Sequence, residues 1–189
     1  MVSGSESPVA DQADEYRRLI TERLAERDWH GAYRWAKGWI GSGGGERLLD
    51  PWLTYVASSL IQGHPRSAVH SVDLALQLWI EPQPDRAILH WVRSRVIRFS
   101  LADPKTASSD LDVAAGAVPL WLRPQVETDI PACAEEAARS RKRKAVVGPT
   151  PEFTGTSADA RPLESRPELW PVILPFLPCG PPIAIEPGR

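Results

Sequence analysis

The sequence predicts an all-α fold, and three observations carry that prediction. Between Asp14 and Pro119 apolar residues recur every three or four positions, the spacing that lays one apolar stripe along a helix. No convincing two-residue alternation, the mark of a half-buried strand, appears in that span. Seven of the eight tryptophans fall between Trp29 and Trp121, and large aromatics concentrated in one span show where a core must form. Proline then divides the chain, with six of 19 before Pro119 and thirteen at or beyond it.

Each helix follows from its own stripe. The first carries Tyr16, Leu19, Ile20 and Leu24; the second Trp29, Ala32, Tyr33, Ala36 and Ile40. The third carries Trp52, Val56 and Leu60; the fourth Ala68, Val69, Val72, Ala75, Leu76 and Trp79. A fifth shows Ile88, Trp91, Val92, Val96 and Phe99, a sixth Ala107, Leu111 and Ala114, and a seventh is expected over Val126–Lys144. Starts are marked by Asp50-Pro51 and Asp103-Pro104, each a capping acceptor before a proline that loses nothing at the first helical position. Gly63 before His64-Pro65 is placed to end the third helix in a left-handed conformation. GSGGG at 41–45 breaks the chain after the second helix and is read as a flexible joint, since a phosphate-cradling loop needs a preceding strand and a Lys-Ser/Thr that are lacking here. The expected organisation is a loose N-terminus over 1–12, a helical domain over 13–144, and a disordered proline-rich tail over 145–189.

Composition narrows the function classes. Hydrophobic residues make up 42% and charged ones 24% of 189, ordinary for one globular domain with tails. A net charge of -2 supplies no global pull toward nucleic acid or an anionic membrane. Eighteen arginines against four lysines, with abundant Ala and Pro, suggest a GC-rich bacterial genome. Cys133 and Cys179 stand far apart, without a disulfide framework or metal-ligand spacing. The first residues lack both the basic start and the apolar run of a signal peptide, and no stretch approaches the ~18–20 apolar residues of a membrane span. A cytoplasmic location with no membrane association is expected.

The helices also repeat. Ala32, Ala68 and Ala107 open successive second helices at spacings of 36 and 39 residues, and sixteen positions upstream of each stands an aromatic: Tyr16, Trp52 and Trp91. Four positions downstream come Ala36, Val72 and Leu111, seven downstream Trp39, Ala75 and Ala114, and Pro119 closes the third unit. This frame resembles the tetratricopeptide repeat, a helix–turn–helix unit of about 34 residues. The second unit matches best, through Trp52, Tyr55, Gly63, Ala68, Ala75 and Leu76, and the likeness covers about residues 13–119. The departures are Ile20, Val56 and Arg95, where the family has a small residue, and Trp39, where it has alanine. An irregular bundle with the same helical period is the alternative.

The resemblance implies a solenoid of about three units with a C-terminal cap helix, and a partner protein or peptide held on a concave wall of first helices. Carried onto this sequence, the wall consists of Arg17 and Thr21 in the first unit, Leu53, Ala57 and Leu60 in the second, and Val92 and Val96 in the third, with Arg93 beside them. Such a wall suits an extended peptide with apolar side chains and a carboxylate on Arg17 or Arg93. No HExxH, GxSxG or Cys/His cluster is present, so neither metal, cofactor nor catalysis is expected. The run Arg139–Lys144 completes the dipole at a helix end, and a weak nucleic-acid contact there is the alternative function. The apolar tail segment 168–182 is expected to pack back on the domain.

Overall fold

The computed structural model of the chain describes residues 8–78 and 84–146, with side chains over 12–78 and 84–140. Within them lie seven helices and no strand: α1 (Pro8–Ala25), α2 (Trp29–Gly41), α3 (Leu49–Ile61), α4 (Pro65–Leu78), α5 (Pro84–Ser100), α6 (Pro104–Ala115) and α7 (Arg123–Val146). No helix among the described residues is long and apolar enough to cross a membrane. Proline acts as the start signal, since Pro8, Pro65, Pro84 and Pro104 are first helical residues and Pro51 and Pro124 lie in first turns. At these positions the missing N–H has no intrahelical acceptor to lose. The exception, α2, is capped by Asp28, whose carboxylate accepts from the Gly31 N–H at 2.8 Å.

Three local expectations change. Helix α1 reaches back to Pro8, inside the stretch expected to be loose. Asp50 does not cap α3; Leu48 is the cap residue, and Asp50 sits in the first turn facing Arg17. The 41–45 segment is anchored at its far end: Gly45 is buried so closely under Trp39 that a Cβ there would lie 2.3 Å from the Trp39 carbonyl oxygen. Glu46 just beyond it accepts from the Trp52 indole N–H at 2.8 Å, which ties the loop to α3. Gly63 does take the left-handed conformation, with φ 76°. Asp103 caps α6 by accepting from the Thr106 N–H at 3.2 Å.

Each helix packs chiefly on its neighbours in sequence, most extensively α5 on α6. Ala32, Ala68 and Ala107 are fully buried, and Trp52 and Trp91 join the same core. Small side chains at these points let helix axes approach closely. The central helix α3 is buried almost all round; of Pro51–Ile61 only Tyr55 is not fully enclosed. A helix with so little polar surface has no solvent face to offer. By contrast α7 is amphipathic, burying Val126, Asp129, Cys133 and Ala137, while Pro131 lies exposed in its middle.

The two halves are joined by different forces. Around α1 and α2, Tyr16 stacks on Trp39 at 5.9 Å and meets Trp35 edge-on at 6.2 Å. Around α5 and α7 the adhesive is charge. Arg95 holds the buried Asp129 through two hydrogen bonds of 2.8 Å, Trp91 donates its indole N–H to the same carboxylate at 3.0 Å, and Arg98 forks onto Glu136 at 2.6 and 2.9 Å. Arg95 is the departure from the small residue expected at its position, and Asp129 on the last helix is the reason for it.

Candidate functional site

The side chains expected to line a groove on the first helices are packing residues. Leu53, Ala57, Leu60, Val92 and Val96 are each at most 4% exposed. Their apolar pattern suits a core as well as a wall, and the near-complete burial of α3 puts them in the core. Arg17 is partly exposed but engaged, paired to Asp14 at 2.9 Å and Asp50 at 3.0 Å with its guanidinium over the Trp39 ring. The Thr21 hydroxyl donates to the Arg17 carbonyl at 2.8 Å. Arg93 bridges Asp73 at 2.7 Å and Asp110 at 2.5 Å, tying α4, α5 and α6 together. Both arginines expected to hold a partner's carboxylate thus hold carboxylates of the chain itself.

Two chemically versatile groups, His90 and Cys133, are enclosed as well. His90 Nδ1 lies 3.0 Å from Asp110, but its Nε2 is buried without a hydrogen-bond partner, so this His–Asp pair faces inward. Cys133 is buried, with its Sγ 3.0 Å from the Pro104 carbonyl oxygen, and burial pushes the thiol above its ordinary value. Among the described residues no cluster of three or more His, Cys, Asp or Glu could hold a metal. Of the basic run, Arg139 pairs with Glu135 at 3.1 Å on an exposed face; the side chains of 141–144, and the tail segment 168–182 with Cys179, lie outside the described residues.

The open concavity lies on the second helices. Between α2 and α4, with α3 as floor, runs a groove of about 520 Å³. Helix α2 contributes Tyr33, Lys37 and Ile40 at i, i+4 and i+7, one face of the helix. Helix α4 contributes Ser67, Ser71 and Leu74 at the same spacing, flanked by Arg66 and His70, while Trp52 and Tyr55 rise from α3. The Tyr33 and Tyr55 rings stack at 4.4 Å and their hydroxyls share a hydrogen bond of 2.5 Å. Burial first, and the hydrogen bond with Tyr33 second, push the Tyr55 hydroxyl up to about 12. The floor is therefore neutral, aromatic and held in place.

Sequence reasoning missed this groove because it followed the first helices. The signal was present on the second ones: Arg66 and His70 stand at i and i+4 on the side of α4 away from the buried Ala68, Val72 and Ala75.

Two other clefts are differently charged. One of about 470 Å³ between α1 and α2 joins Tyr16, Trp35 and Arg34 with the capping carboxylate of Asp28. A smaller one of about 290 Å³ is walled by the mutually paired Arg98 and Glu136. No protein-family model matches the chain, and neither the curated proteins nor the solved structures contain a match.

Proposed function

We propose that this chain is an interaction module and not a catalyst: a tetratricopeptide-like stack of three helix pairs, closed by α7, that binds a partner protein in the groove between α2 and α4. The observation that carries the reading is the groove itself, an aromatic floor with solvent-exposed Lys37, Arg66, His70 and Leu74 around it. Preorganised aromatic surface next to charge is the composition of protein-binding hot spots. The enclosure of Cys133 and of the His90–Asp110 pair supports a binding role over a catalytic one. The solenoid arrangement is supported by the burial of Ala32, Ala68 and Ala107 and by packing between sequence neighbours.

A photo-crosslinking amino acid at position 74, in the groove, tests this in the host cell against the same group at position 127 on an exposed turn of α7. A discrete adduct formed from 74 and absent from 127 is the expected result. Identical patterns from both positions, or no adduct from 74, would sink the reading.

A further inference from the structure

The groove's charge is one-sided, and this points to the partner's chemistry. Among the described residues its lining contains Lys37, Arg66 and His70 and no aspartate or glutamate. Six arginines elsewhere are answered: Arg17, Arg18, Arg23, Arg93, Arg95 and Arg98 each pair with a carboxylate. Lys37 and Arg66 have no such partner among the described residues, and both are exposed. The neighbouring cleft also carries cations, Arg23 and Arg34, but its lining includes a carboxylate, Asp28, 3.8 Å from Arg23. Of the three clefts described, the α2–α4 groove alone sets cations beside apolar surface, Tyr33, Ile40 and the 40%-exposed Leu74, with no carboxylate in its described lining.

Resting on the interaction reading above, we infer that the groove takes an acidic segment of a partner protein. Aspartate or glutamate side chains pair with Lys37 and Arg66, and an adjacent aromatic or aliphatic side chain lies on Tyr33 and Leu74. Each half of the site accounts for a different property. The charges guide encounter and reject basic segments, while the apolar floor supplies contact area that salt does not screen. A locked tyrosine pair lowers the ordering cost of binding. Because Lys37 and Arg66 are exposed and make no ion pair among the described residues, reversing their charge is expected to leave the helices intact.

The test uses the full-length chain and two labelled synthetic peptides, one alternating Asp or Glu with Trp and Leu, the other its Asn/Gln counterpart. Fluorescence anisotropy at low salt is expected to show the acidic peptide binding about tenfold or more tighter. The double variant Lys37→Glu/Arg66→Glu, with an unchanged circular dichroism spectrum and melting temperature, should lose that preference and favour a peptide with Lys and Arg in the acidic positions. Equal affinity for the two peptides, no binding of either, or a preference indifferent to the charge reversal would overturn the inference. Tighter peptide binding by a Glu164→Gln/Glu168→Gln chain would show that its own tail occupies the groove, overturning the assignment to a partner. A retained crosslink from position 74 with charge-blind peptide binding defeats the acidic assignment alone; loss of that crosslink defeats the interaction reading.

Discussion

The four helices α1–α4 and the three helices α5–α7 handle their charged groups in opposite ways. In the first group the ion pairs lie at the surface, as Arg17 with Asp50 and Arg18 with Glu22 do, and cohesion comes from aromatic stacks and small residues. In the second, Arg95 and Asp129 are less than a tenth exposed and face each other across α5 and α7. A buried carboxylate needs its partner; a surface pair is nearly dispensable. The lesson is that arginine count says little about binding. Arginines in the second group hold the domain together, and only the first group leaves cations unengaged beside an apolar floor.

The largest expected effect comes from breaking the buried pair. Asp129→Ala should destabilise the chain by ~3–5 kcal/mol, because the buried Arg95 guanidinium and Trp91 indole both lose the carboxylate they donate to. Arg17→Met should cost less than ~1 kcal/mol. Urea unfolding followed by circular dichroism measures both. The double variant Arg95→Met/Asp129→Leu should recover part of the loss, since it removes the buried Arg95 charge while the Trp91 indole N–H still loses Asp129 as acceptor. Equal costs for Asp129→Ala and Arg17→Met would erase the contrast between the halves.

Next in size is Gly45→Ala. With its Cβ forced to 2.3 Å from a backbone oxygen, the loop or α2 must shift, at an expected cost of ~1–3 kcal/mol in the same unfolding measurement. Substitution at Gly41, where a Cβ meets nothing within 4 Å, is the matched control and should be far milder.

The tyrosine pair gives a pH-dependent test of the groove floor. Tyr55 ionises near pH 12 in the folded chain against an ordinary value of 10.0. Its contribution to stability is complete below pH 10 and declines as pH rises toward 12, because the unfolded chain releases the proton first. Absorbance at 295 nm should therefore show a late-ionising tyrosine, and Tyr33→Phe should move that step downward. The smallest effect belongs to the ends of α1 and α5, where Arg27 (φ 58°) and Ala102 (φ 53°) take left-handed backbone. Ala102→Gly should raise stability by ~0.5–1 kcal/mol, the relieved strain outweighing glycine's added freedom when unfolded.

Helix positions were legible in the sequence because two independent codes agree there: the three-to-four spacing and the prolines at helix starts. Residues 8–12 escaped the reading because their stripe is short, and Pro8 was not taken as a start. The candidate site was much less legible. Leu53, Ala57 and Val92 have the same apolar character whether they line a groove or a core, and only tertiary packing tells them apart. Arg95 was visible as an odd residue, but its explanation lay 34 positions away in Asp129, beyond any local pattern. Asp50 has the place of a cap before Pro51, yet helix entry two residues earlier frees its carboxylate for Arg17.

Cys133, sealed between α7 and the start of α6, also makes the domain its own timekeeper. In a Cys179→Ser chain the sole remaining thiol can meet a thiol reagent only when the last helix lifts away, so the labelling rate counts those excursions directly. Because Asp129 sits one turn before that sulfur, Asp129→Ala should quicken the clock, whereas changes around the distant Tyr33–Tyr55 floor should leave its pace untouched.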